Sequence, residues 1–199
     1  GVNVLNAYFS LIFQCFFMHS NIMCTIWGDY DKIWKTYYKL EDFKMKKTHE
    51  EYLKHAISLS YKSRESGNTP FAALLVDKDG NILLEQMNVE ITEHKCTGHA
   101  ETQLAERASK LYDRDFLWDC TLYTTAEPCS MCSGAIYWAN IGHVVYAMTE
   151  KDLLRLTGGD PQNPTFDLPC REVFAHGQKP IQVTGPFPEL APEAAKAHE

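Results

Sequence analysis

His99-Ala100-Glu101 is followed by Pro128-Cys129-Ser130-Met131-Cys132, with Cys129 thirty residues after the histidine. One imidazole and two thiolates are three protein ligands of the softness that Zn²⁺ takes, and three ligands leave a fourth position open for water. A structural zinc site needs four. Glu101 falls outside the ligand set, because a metal that already holds two thiolates gains little from a further anion. It stands beside the set as a carboxylate able to carry protons, the position of a general acid and base. Such an arrangement suits attack of metal-activated water on an sp² carbon that bears an amino group. Glu101 would pass the proton to a ring nitrogen and then to the departing amine, which is hydrolytic deamination. Two competing readings explain less. A Cys-x-x-Cys redox pair ignores the histidine and the proline. A structural zinc site would take its fourth ligand from Cys96, Cys120, Cys170, His94, His143 or His176, and it leaves Glu101 without a role.

Residues two apart lie on opposite sides of a helix interior, so His99 and Glu101 can share a site only at a helix end. The sequence therefore predicts a helix that starts at His99 and runs through Leu104 and Ala108. Pro128 predicts the opening of a second helix, since proline is tolerated at or just before a first turn. Cys129 and Cys132, three apart, then share a face. Unpaired N–H groups and the helix dipole at that end favour thiolates. Two helix starts are expected to face one ion.

His-x-Glu with Pro-Cys-x-x-Cys is the mark of the zinc nucleobase deaminases. From about Thr48 to about Ala147 the chain resembles the cytidine deaminase-like superfamily. Pro70-Phe71-Ala72-Ala73-Leu74-Leu75-Val76, Asn88 and Gly134-Ala135-Ile136-Tyr137-Trp138-Ala139 share in the likeness. Ile136-Tyr137-Trp138-Ala139 resembles bacterial guanine deaminases in particular. Histidine as first ligand, where small cytidine deaminases use cysteine, is shared with the guanine, tRNA-adenosine, cytosine and dCMP branches. The resemblance implies a Zn²⁺ cofactor on His99, Cys129 and Cys132, with Glu101 as proton shuttle. It also implies that Asn88 lines the pocket, that the N–H groups of Ala100 and Cys129 approach the substrate, and that the protein self-associates as a dimer.

Other residues keep two readings each. Asn88 offers donor and acceptor to a base edge, or it is a turn residue after a strand. Phe71 stacks on a ring or packs in the core of its apolar strand. Glu127 holds a donor or faces solvent. Phe166 follows the polar, turn-rich stretch Thr157 to Pro164 and either closes over a flat base as part of a lid or packs beside the sheet. Tyr137 and Trp138 belong to helix packing or a dimer interface, not to the chemistry.

Thr48-His49-Glu50-Glu51 has capping-box spacing, and Leu53, Ala56, Ile57 and Ser60 continue at helical intervals to about Arg64. Phe71 to Val76 reads as a buried strand, and Asp79-Gly80 turns it into a second over Asn81 to Met87. Thr121 to Thr125, His143 to Met148 and Ile181 to Thr184 read as three more strands. The tail from Pro186 carries a short capping helix. This alternation predicts an α/β protein: a three-layer α/β/α sandwich on a central mixed sheet of about five strands.

The 199 residues suffice for one packed domain, assigned to 48–199, with an N-terminal extension over 1–47. The apolar run from Val4 to Met18 is shorter than the roughly 20 residues a membrane helix needs. No positive charge precedes it, as a secretory signal would require. Ile33, Trp34, Tyr37 and Leu40 suggest a packing helix. Two of the seven cysteines are assigned to metal, and the other five lack framework spacing, so a reducing cytoplasm is expected. Residues 48–199 carry thirteen Lys and Arg against twenty-two Asp and Glu, a formal balance of −9. That acidity argues against a nucleic-acid partner and for a small purine or pyrimidine. Conversion of guanine to xanthine and ammonia is the leading expectation. A tRNA adenosine-to-inosine deaminase, a deaminase of cytosine or another aminated heterocycle, and a non-catalytic zinc-stabilised binding module are the alternatives.

Overall fold

The computed structural model describes residues 47–158, 161 and 165–199. The helix expected around Ile33 to Leu40, like the rest of 1–46, lies outside the described residues, as do 159, 160 and 162–164 of the turn-rich stretch.

Helix α1 (His49–Glu65) opens on the capping box read from the sequence: Thr48 Oγ1 accepts the Glu51 N–H and Glu51 Oε2 accepts that of Thr48. Strands β1 (Ala72–Val76) and β2 (Ile82–Met87) form the expected antiparallel hairpin. Its turn is closed by Asp77 Oδ1, which accepts from the N–H groups of Asp79 and Asn81. Gly80 sits there at φ 90°, a conformation costly for any residue with a Cβ. Then come α2 (Ala100–Leu111), α3 (Arg114–Trp118), β3 (Thr121–Ala126), α4 (Ser130–Ala139) and β4 (His143–Met148). The chain continues through α5 (Glu150–Thr157), α6 (Cys170–Ala175), β5 (Gln182–Thr184) and α7 (Ala191–Lys196).

The sheet has the order β2-β1-β3-β4-β5. β1 is antiparallel to both its neighbours, while β3, β4 and β5 run parallel. Both faces are covered, which is why β1, β3 and β4 read as nearly continuous apolar runs. Alternate residues serve the two sides. Ala73, Leu75, Leu122, Val144 and Tyr146 pack with Leu104 and Ala108 of α2, Leu117 of α3, Ile136 of α4 and Phe174 of α6. Ala72, Leu74, Val76, Tyr123, Val145 and Ala147 pack with Leu53 and Ile57 of α1, Leu153 of α5 and Ala194 of α7. The result is the mixed five-stranded α/β/α sandwich.

Strand direction gathers the residues of interest. Ala73 pairs with Thr124, Ala72 with Met87, and Ala126 with Met148. The entry to β1 and the exits from β2, β3 and β4 therefore lie at one edge of the sheet. Phe71, Asn88, Glu127 and Glu150 flank those ends.

Candidate active site

Both ligand helices begin at the site, α2 one residue and α4 two residues later than the sequence suggests. His99 and Cys129 are the N-caps of α2 and α4, and Pro128 stands outside the helix it was expected to open. Both helix starts thus stand at the ligand cluster, and the Cys132 N–H donates a hydrogen bond that helps lower the Cys129 thiol. The ligand atoms of His99, Cys129 and Cys132 lie within 4.8 Å of one another. His99 Nδ1 is 3.7 Å from Cys129 Sγ and 3.6 Å from Cys132 Sγ. Zinc bonds of ~2.0 Å to nitrogen and ~2.3 Å to sulfur at a tetrahedral angle put the two atoms about 3.5 Å apart. The set is thus spaced for zinc, with Nδ1 as the imidazole donor. Among the described residues no fourth His, Cys, Asp or Glu joins the cluster, and Cys96, Cys120 and Cys170 are free thiols elsewhere.

The three groups of the cluster differ in their hold on a proton. The Cys129 thiol is pushed down to about 4, first by the hydrogen bond it receives from Cys132 and then by His99, against the effect of burial. The Cys132 thiol, which gives that bond, is raised by the same contact and by burial. His99 is raised to about 9, chiefly by Cys129, with burial opposing. An imidazolium beside one thiolate and one thiol results.

Glu101, 4% exposed, lies behind these ligands. Its Oε1 accepts the Thr124 hydroxyl at 2.6 Å, and its Oε2 lies 3.4 Å from Cys132 Sγ. Burial raises its pKa, opposed by the Thr124 bond and the His99 charge. Thr102 Oγ1 donates to Cys132 Sγ at 3.2 Å. On the far side of the imidazole, Nε2 is 3.7 Å from Glu90 Oε2.

Asn88 is buried and its Oδ1 accepts the Glu90 N–H at 2.8 Å, which leaves its Nδ2 hydrogens as the donors available at the sheet edge. Phe71 is half-buried, with its ring against that of His198 at 4.9 Å. Ala100 is fully buried as the first residue of α2. Glu127 is buried, and both its oxygens are taken by backbone: Oε1 accepts from Cys170 N–H and Oε2 from Glu150 N–H. Phe166 is joined to the site by its main chain, whose N–H donates to Glu150 Oε1 at 3.2 Å, while its ring is 57% exposed. Trp138 is exposed, and Tyr137 packs beneath Lys179 and accepts the Gln178 N–H.

Sequence reasoning missed Glu90, Thr102, Thr124 and Glu150. The last is a 6%-exposed carboxyl raised to about 8, first by burial and then, among the charges, by Cys129, Glu101 and Glu127. Its one local signal is the cap before it, where Thr149 Oγ1 accepts the Asp152 N–H.

Residues 46–148 match the family described as the cytidine and deoxycytidylate deaminase zinc-binding region. A probable cytosine deaminase of Schizosaccharomyces pombe is 35% identical over 138 residues, 69% of this chain and 83% of that protein. The guanine deaminase of Bacillus subtilis is 43% identical over 105 residues, 52% of this chain and 67% of that one. A tRNA-specific adenosine deaminase of Haemophilus influenzae is 35% identical over 101 residues, 51% and 58% of the two chains. Among solved structures, Bacillus subtilis guanine deaminase superposes with a TM-score of 0.50 at 40% identity, covering 55% of this chain and 69% of that one. A protein solved in complex with 2,6-diaminopurine gives 0.62 at 25% identity, over 75% and 79%. The matched stretch holds all three ligands and the carboxyl behind them, and the chain belongs to this family of zinc-dependent hydrolytic deaminases.

Proposed function

We propose that the enzyme deaminates a free purine base, converting guanine to xanthine and ammonia. The observation that carries the reading is the 43% identity to a guanine deaminase across the site-bearing stretch. The acidic balance of residues 48–199 supports a small substrate over tRNA, whose phosphates need a positive surface.

His99, Cys129 and Cys132 would hold the zinc, which when bound supplies a water activated for attack on the aminated carbon. Glu101 is the proton carrier: it takes a proton at its carboxylate and delivers it to the ring nitrogen and then to the leaving amine. Thr124 keeps Oε1 in one place during that exchange. The Nδ2 hydrogens of Asn88 suit a ring nitrogen or carbonyl oxygen of the base, and the N–H groups of Ala100 and Cys129 offer further donors at the helix starts. Phe71 and Phe166 are the aromatic residues this reading assigns to the substrate, and Glu127, assigned there too, ties down two backbone groups. A cytoplasmic homodimer goes with this reading; Trp138, 74% exposed on α4, is the kind of surface aromatic that a second copy covers.

Cytosine is the second reading, because the match to the probable cytosine deaminase runs over 69% of the chain. An ammonia-release panel of guanine, guanosine, adenosine, cytosine, cytidine and aminotriazines separates the two. Guanine should turn over best; cytosine turnover with none on guanine sinks the first reading. Glu101→Gln should cut the rate by several orders of magnitude with zinc still bound, and a gel shift at moderate salt should show no tRNA retention.

A further inference from the structure

The His99 ring is oriented by more than the metal cluster. Its Nδ1 faces the two sulfurs, so once Nδ1 is a ligand the hydrogen of the neutral ring resides on Nε2, which must donate outward. The carboxylate opposite it is that of Glu90, with Oε2 3.7 Å away, a few tenths of an ångström beyond direct hydrogen-bond distance, both side chains being about one-third exposed.

The loop between β2 and α2 is built to put Glu90 there. Asn88 Oδ1 accepts the Glu90 N–H at 2.8 Å, and the Glu90 carbonyl accepts the Lys95 N–H at 3.0 Å. Val89 N–H donates to the carbonyl of Gly98, next to the ligand. Gly98 presses so closely on this strand of loop that a Cβ would stand 2.6 Å from Glu90 Cα. Asn68 Oδ1 accepts from the N–H groups of Ile91 and Thr92 and fixes the following turn. Glu93, on the same loop, is exposed and takes no part.

We propose that Glu90 is a positioning residue for the metal, its carboxylate accepting the Nε2 hydrogen of His99 so that the ring is held with Nδ1 on the cluster and made a stronger donor. Carboxylates in this relation to a ligand histidine fix its tautomer and orientation and raise its basicity. The inference rests on the zinc reading of the site and is independent of the substrate.

Zinc affinity of the full chain, measured by competition with a chromophoric chelator, tests it. Glu90→Gln and Glu90→Ala should bind zinc about ten- to a hundredfold more weakly. Glu90→Asp should restore part of the loss, and Glu93→Gln should match the wild type. Melting temperatures in excess chelator should agree for wild type and Glu90→Gln, which separates ligand tuning from damage to the loop. Cobalt substitution should show a shifted ligand-field band in Glu90→Gln. Zinc affinity within twofold of wild type in Glu90→Gln, or a loss that tracks a lower melting temperature of the chelator-treated protein, overturns the proposal. If His99→Ala binds zinc as tightly as the wild type, the site reading itself fails.

Discussion

Thr124 and Glu101 meet between the sheet and the ligand helix: the hydroxyl of one donates to Oε1 of the other at 2.6 Å, and both residues are buried. A carboxyl that must both take and release a proton benefits from having one oxygen tied, because the other is then the one that exchanges. Replacing Thr124 by Val keeps the shape and removes the donor, leaving a buried carboxyl oxygen unsatisfied at a cost of about 1–3 kcal/mol. The turnover rate should fall at least about tenfold, a loss of ~1.4 kcal/mol, with zinc content unchanged. Thr124→Ser should recover most of it. Equal rates in wild type and Thr124→Val would remove Thr124 from the account.

Zinc binding should release protons. Near pH 7 the His99 imidazole, raised to about 9, and the Cys132 thiol both carry one, while Cys129, lowered to about 4, does not. Ligands bind metal only in their deprotonated forms, so about two protons leave as zinc enters. Affinity therefore falls as pH falls. Titration calorimetry in buffers of different ionisation enthalpy gives the number directly; a value near zero would mean that the cluster is already deprotonated.

Glu150 should make stability depend on pH in the opposite sense to a salt-bridged carboxylate. Its folded value of about 8 lies above the 4.5 of an exposed glutamate, with burial as the largest cause. The folded chain thus binds a proton that the unfolded chain releases between these values. Its contribution is fully present below about 4.5 and is lost as pH rises through about 8. Glu150→Gln keeps an acceptor for the Phe166 N–H and has no charge to bury, so it should flatten that part of the curve. Urea midpoints of the zinc-loaded proteins at pH 5 and pH 8 test this. A wild type and variant that lose stability in parallel would contradict it.

The ligands were legible because their spacing is local. His99 and Glu101 lie two apart and Cys129 and Cys132 three apart, and helix geometry alone limits what such intervals can do. Elements with strong local signals were equally readable: the Thr48 capping box, the apolar run of β1, and β4 from His143 to Met148. The supporting residues were not. Thr124 reaches Glu101 only because α2 packs on that face of β3, and Glu150 lies near Cys129 only because β4 pairs in parallel with Ala126 opposite Met148. Register of this kind leaves no mark in a single sequence. The place of Glu127 before Pro128 leaves it either holding a donor or facing solvent, and only the fold identifies the donors as the N–H groups of Glu150 and Cys170. Helices α3 and α6, of five and six residues, are too short for a periodic pattern to announce them.

Those two bonds from Glu127 have a consequence for how such a protein can diverge. They moor the stretch that follows β4 to the stem of the cysteine loop by a side-chain carboxylate on one side and main-chain N–H groups on the other, so the anchorage does not depend on the side chains of Glu150 and Cys170. A substitution along that stretch that spares its two N–H groups leaves the stem of the cysteine loop held as before.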